Sequence, residues 1–205
     1  MCFHSKLSKK AQDIESRFDA KFNNIKQYTS RDNINGFAFP KTPVIANLKR
    51  DIIQQFSWGL IPFWAKDNTI RKYTLNAKIE TLHEKPSFRN VMDNRCLVIT
   101  DGFYEWQWLD PKGKQKQKYL ITFPENQLFT FGGIWSEWVE KVTGEIVNSY
   151  SIVTTEANTF MAEIHNSKKR MPVILTKENE TRWLDGETIN TFKKPKIDLV
   201  AIAIK

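Results

Sequence analysis

The chain has 205 residues, 40% hydrophobic and 26% charged, which excludes wholesale disorder and allows a sizeable core without disulfide staples. No stretch approaches the roughly 20 apolar residues of a spanning helix, and the opening MCFHSKLSKK lacks the apolar region of a secretory signal. Lys and Arg total 31 against 23 Asp and Glu, a net charge of +8, which puts a polyanionic partner slightly ahead of a merely lysine-rich soluble surface.

In chain order, a helix is expected over 8–22, capped by Ser8, with Ala11, Ile14, Phe18 and Phe22 on one face. Residues 31–42 read as loop, punctuated by Asn33, Asn35, Gly36 and Pro40. A strand over 52–59 leads into the aromatic loop Leu60-Ile61-Pro62-Phe63-Trp64, and 74–81 alternates as a second strand. A short helix at 86–92, which carries Arg89, precedes a buried strand over 95–100 that Gly102 breaks. Strands follow at 103–109, 117–123, 128–135 and 148–155, joined by Asp110-Pro111-Lys112-Gly113, Pro124-Glu125-Asn126 and Thr143-Gly144. A short helix at 158–164, a strand at 172–175, a helix from Thr176 to Leu184 closed by Gly186, and a strand at 198–204 complete the chain. Serial hairpins with interspersed short helices predict an α+β fold of curved antiparallel sheets, one domain over 1–205.

On the hairpin, Lys112, Lys114, Lys116 and Lys118 recur with period two and would share one face of an extended strand. A solvated edge strand is the simpler reading, and a phosphate-facing rail the functional one. The two cysteines, Cys2 and Cys96, and three histidines show no metal-ligand spacing, so no metal or other cofactor is expected, and reduced thiols suit a cytoplasmic protein. Cys96 lies in an apolar run and reads as a small core hydrophobe.

Four positions could carry chemistry. Methionine before a small residue is expected to be removed, which would make Cys2 a 1,2-aminothiol. Its amine forms an imine with an aldehyde, and its thiol then closes a five-membered thiazolidine. From position alone, an incidental terminal residue is the simpler reading. Glu105, in Asp101-Gly102-Phe103-Tyr104-Glu105-Trp106, shares a strand face with Phe103, which favours burial and a raised pKa suited to proton transfer. An outward Glu105 would be an ordinary surface carboxylate. His165, before Asn166-Ser167-Lys168-Lys169-Arg170-Met171-Pro172, is a general acid or base or an idle loop residue. Asn76 is unusual for a strand and could orient a nucleophile, hold an oxyanion, or mark a bulge.

Together these segments resemble the SOS response-associated peptidase family of abasic-site processing proteins. The resemblance runs almost the whole chain through Met1-Cys2, Pro40, Trp58-Gly59-Leu60-Ile61-Pro62, Asn76-Ala77-Lys78-Ile79-Glu80-Thr81 and Arg95-Cys96-Leu97-Val98. It continues through Asp101 to Trp106, Phe131-Gly132-Gly133-Ile134-Trp135, Thr154-Thr155-Glu156-Ala157-Asn158, and His165 with Arg170-Met171-Pro172-Val173-Ile174-Leu175. It implies a barrel-like core and a protein that binds single-stranded DNA at abasic sites and crosslinks to the ring-opened sugar through Cys2. Asn76 would position the terminus, and Glu105 and His165 would move protons. Removal of its own Met1 and abasic-site lyase activity are implied as well. DNA contacts are expected from His4, Pro40, Trp64, Lys78, Arg89, Trp106, Lys168, Lys169 and Arg170, with no membrane partner and a monomer as the default.

The chain departs from the family pattern at Phe3-His4, where relatives often carry Gly-Arg, at Phe37 in place of a frequent asparagine, and at Lys78, which loses an arginine fork. Its loop between His165 and Arg170 is longer, and the added lysines could replace phosphate contacts. Two other readings stay open: a thiol peptidase acting in trans through Cys2, His165 and Glu105, and a noncatalytic single-stranded DNA module.

Overall fold

The computed structural model describes residues 2–204. Its strands are β1 (His4–Leu7), β2 (Lys21–Phe22), β3 (Arg31–Asn35), β4 (Lys41–Ala46), β5 (Lys49–Trp58), β6 (Asn76–Lys78) and β7 (Arg95–Thr100). They continue with β8 (Gly102–Trp108), β9 (Lys116–Thr122), β10 (Phe129–Val139), β11 (Ile146–Glu156), β12 (Arg170–Pro172), β13 (Ile174–Leu175) and β14 (Val200–Ile204). The helices are α1 (Ala11–Phe18), α2 (Thr159–Ile164) and α3 (Lys177–Leu184).

The larger sheet runs β12-β11-β10-β7-β4-β5-β2, with β13 added to β10 and β6 to β11. It closes on itself because β11 also pairs with β5, Ser149 opposite Ser57 and Tyr150 opposite Trp58. The ring β11-β10-β7-β4-β5 is therefore a five-stranded barrel, as expected of this α+β chain, and its seam is parallel. The smaller sheet, β14-β9-β8-β1-β3, is antiparallel throughout. Closure removes the open edges that a twisted sheet of this size would otherwise expose.

The expected boundaries shift where tertiary pairing outweighs local pattern. The helix expected over 8–22 is only Ala11–Phe18. It ends at Asp19 in the left-handed region (φ 48°), and Phe22 joins β2 against β5. Ser8 does not cap it, because its Oγ and backbone N–H both go to Asp101, at 2.6 and 3.1 Å, where Lys6 Nζ also binds. That cluster fastens β1 to the start of β8. The expected loop 31–42 contains β3 and the start of β4, since Arg31-Asp32-Asn33-Ile34-Asn35 has one apolar side chain but pairs with β1 across a register shift between Ser5 and Leu7. The expected strand 74–81 shortens to β6 followed by a 3₁₀ turn at Ile79–Thr81, and the expected helix 86–92 is a turn at Arg89–Val91. Lys112 and Lys114 fall in the hairpin turn and not on a strand, while β9, paired on both sides, is not an edge.

A contiguous core runs from Cys2 through the barrel to Trp183 of α3. Gly132 admits that helix: a Cβ there would meet the Trp183 ring at 3.0 Å, and Trp183 Nε1 donates to the Cys96 and Gly133 carbonyls. Among the described residues no helix is long and apolar enough to cross a membrane.

Candidate active site

Cys2 precedes β1, and the fold buries it completely. Because β1 inserts between β3 and β8, His4 lies opposite Tyr104, which brings Cys2 to the strand that carries Glu105. Asn76 opens β6, pairs with Ile152 of β11, and donates through Nδ2 to the Cys2 carbonyl at 2.8 Å. This contact accounts for an asparagine in a strand: its amide ties the chain terminus to the barrel. Its Oδ1 is buried with no hydrogen-bond partner among the described residues, so a site acceptor stands available. Burial first, and the Glu105 charge second, hold the Cys2 thiol well above its ordinary range. Its Sγ lies 3.7 Å from the His4 carbonyl.

Strand alternation places Glu105 inward with Phe103, and both are buried. Burial pushes the Glu105 carboxyl up to about 7. His165 caps the C-terminal end of α2, only 6% exposed, and desolvation pushes its imidazole down to about 4. Its Nδ1 lies 2.7 Å from the Arg170 carbonyl oxygen, a distance at which the nitrogen must donate, and 3.3 Å from the Arg170 N–H, the longer contact. Nε2 is then the acceptor, 3.9 Å from Glu105 Oε2. Between about pH 4 and 7 a protonated carboxyl therefore faces a neutral imidazole, an acid and a base separated by environment. Among the described residues no group of His, Cys, Asp or Glu could hold a metal ion.

Around these four, the expected DNA contacts divide. His4 packs edge-on against Trp106, ring centres 5.1 Å apart, and its Nδ1 lies 3.1 Å from Asn33 Oδ1. Lys118 covers Tyr104 at 4.2 Å and Trp106 at 5.6 Å, while Lys116 covers Trp108 at 5.6 Å, so this part of the lysine series rests on aromatic faces. Pro40 follows Phe39, a left-handed residue (φ 51°) held by Arg71, whose Nη2 donates to the Phe39 carbonyl at 3.1 Å and whose guanidinium covers its ring. Trp64 is 46% exposed on its loop, whose base is fixed by Trp138 Nε1 donating to the Ala65 carbonyl. Lys78, Lys168 and Lys169 are exposed near Asn76 or His165 in sequence, and Arg89 is exposed in its turn. Arg170 is engaged elsewhere: it forks onto Glu80 at 2.9 and 2.9 Å and donates to the Thr154 carbonyl at 2.8 Å, with its side chain 12% exposed. The structure thus brings Cys2, Asn76, Glu105 and His165 together and turns the Arg170 guanidinium toward Glu80. Two further residues went unrecognised in the sequence. Glu80 sits inside the Asn76 to Thr81 motif, which was a signal; Asn166, in a polar loop, offered none.

A family model described as SOS response associated peptidase (SRAP) matches residues 1–200. Among curated proteins, the chain is 46% identical over 129 residues to the abasic site processing protein YoqW of Bacillus subtilis, covering 62% of this chain and 55% of that protein. It is 31% identical over 176 residues to the abasic site processing protein HMCES of Gallus gallus, covering 74% of this chain and 51% of that protein. The chain spans about half the length of the curated relatives it matches. A crystal structure of a protein from Bacteroides thetaiotaomicron superposes with a TM-score of 0.90 at 36% identity, over 100% of this chain and 92% of that one.

Proposed function

The chain belongs to the SOS response associated peptidase (SRAP) family, and on that premise we propose that it captures abasic sites in single-stranded DNA through a covalent bond to Cys2. The observation that carries this reading is the convergence of Cys2, Asn76, Glu105 and His165 on one buried point. Curated relatives named for abasic-site processing support the substrate. The chemistry requires a free Cys2 amine, and hence removal of Met1, which lies outside the described residues.

The steps follow from the groups present. The Cys2 amine adds to the aldehyde carbon of the ring-opened sugar while His165 Nε2, neutral at physiological pH, accepts a proton. His165 returns that proton to the carbinolamine oxygen, protonated Glu105 delivers a second to the departing hydroxyl so that water leaves, and the Glu105 carboxylate takes the remaining N–H proton as the imine forms. The Cys2 sulfur then adds to the imine carbon, and its proton ends on the ring nitrogen. The product is a thiazolidine, and the balance is the loss of one water. Asn76 holds the Cys2 carbonyl so that amine and thiol reach one carbon. Strand cleavage at the lesion would start from the same imine, so lyase activity would compete with ring closure. Removal of Met1 by the same site would draw on Glu105 and His165 for its proton transfers. The protein is proposed to act as a cytoplasmic monomer with no cofactor.

The peptidase reading in trans draws less support. A thiol peptidase needs an imidazole that activates a thiolate, whereas burial here raises the Cys2 thiol and lowers His165. The deciding experiment is intact-protein mass spectrometry with a single-stranded oligonucleotide bearing one abasic site. The expected product lacks Met1 and carries the oligonucleotide minus one water. A processed protein that forms no adduct overturns the proposal.

A further inference from the structure

Beyond Tyr104 the β8 edge has no strand partner, because β1 covers only Gly102, Phe103 and Tyr104. The segment after α2 fills that edge with a side chain. Asn166 Oδ1 accepts from the Trp108 N–H at 3.0 Å, and Asn166 Nδ2 donates to the Trp108 carbonyl at 2.9 Å. A primary amide carries the same donor and acceptor as a peptide group, so Asn166 substitutes for one residue of a neighbouring strand. Beside it Gln107 Nε2 donates to the Glu163 carbonyl at 3.0 Å. These contacts dock the end of α2 on β8.

We infer that Asn166 is a positioning residue that sets His165 against Glu105. Trp108 stands three positions after Glu105 on β8, and His165 is the immediate neighbour of Asn166, so the staple fixes the spacing between the acid and the base. The other side of the loop is held independently. Arg170 receives the His165 Nδ1 proton on its carbonyl and is itself clamped to Glu80, in the turn that follows Asn76. Between the two anchors the chain folds back on His165: the Lys169 N–H donates to the His165 carbonyl at 2.8 Å, and Lys169 takes a left-handed φ of 48°. The segment that carries the imidazole is thus held on one side by the Asn166 amide bonded to the Trp108 backbone of β8, and the ring itself on the other by the Arg170 carbonyl of β12.

The inference rests on the proposed crosslinking chemistry, so it is tested with two readouts, one of which does not need that chemistry. Crosslinking by Asn166→Ala is measured in single turnover at saturating abasic-site oligonucleotide. The His165 ring nitrogens are followed by nitrogen-15 NMR of the free protein, assigned by loss of their signals in His165→Ala. The maximal rate is expected to fall about tenfold. The ring signature is expected to move from the Nδ1–H form toward the Nε2–H form that a free imidazole prefers. Asn166→Asp keeps the acceptor for the Trp108 N–H and should fall between parent and alanine variant. In a His165→Ala background, Asn166→Ala should slow crosslinking no further. A maximal rate within twofold of the parent overturns the inference. A rate that falls while the ring signature stays fixed also overturns it, since Asn166 would then act elsewhere. If the parent protein forms no adduct, the functional proposal fails, and the ring signature alone decides the role of Asn166.

Discussion

Replacing Asn76 with alanine tests whether the amide at the mouth of β6 positions the reactive terminus. In the structure Asn76 Nδ2 donates to the Cys2 carbonyl at 2.8 Å, and Cys2 lies outside the β1 ladder that begins at His4. The substitution leaves a buried carbonyl without that donor, at a cost of roughly 1–3 kcal/mol. Because Cys2 stands before the β1 ladder, the cost is expected to fall on docking of the terminus, with less effect on the barrel. At about 1.4 kcal/mol per decade, the docked population drops roughly 5- to 150-fold. The same factor is expected in the single-turnover rate of adduct formation, read on denaturing gels with a labelled abasic-site oligonucleotide. Affinity for an oligonucleotide with a non-reactive abasic analogue should change little. A rate within twofold of the parent, in a folded protein that has lost Met1, would refute the positioning argument.

Other expectations follow from the same geometry. Cys2→Ala should abolish the adduct while retaining oligonucleotide binding, whereas Cys96→Ala, at a fully buried thiol among apolar residues, should still crosslink; intact mass separates the two. The ratio of the parent rate to that of Glu105→Gln should be large below pH 7 and decline as pH rises through about 7, where the parent carboxyl loses its proton. That ratio cancels titration of the amine itself. The same raised pKa gives the fold a contribution that is fully present below about pH 4.5 and lost as pH rises through about 7, so Glu105→Gln should melt higher than the parent at pH 8. Gly133→Ala should destabilise by about 1–3 kcal/mol in thermal or denaturant melts, because its Cβ would stand 2.7 Å from Cys96 Sγ and 2.9 Å from Val98 Cγ2. Adding Cys96→Ala should recover part of that loss; no recovery would place the strain elsewhere.

Much of this was legible in one dimension. The serial strands from β7 to β11 were recognisable because apolar alternation and turn residues act locally, and β7 matches its expected range, Arg95–Thr100. The same alternation favoured a buried Glu105, and the carboxyl is buried. The proposed site residues Cys2, Asn76, Glu105 and His165 each stand in a motif that the sequence displays. Tertiary structure alone decided the rest. β3 exists because β1 supplies hydrogen-bond partners that its own polar sequence does not advertise, and Ser8 is drawn from capping a helix to a buried carboxylate 93 residues away. The parallel seam between β5 and β11 joins segments nearly a hundred positions apart, so no local pattern foretells it. Arg170 looked like a phosphate contact, since a free guanidinium in a basic loop suits one, and its fork on Glu80 follows only when β12 is laid beside β11. The pKa values of Glu105 and His165 belong to the same class. Identity makes each a titrating group, but the removal of water by a closed fold is what drives the acid up and the base down.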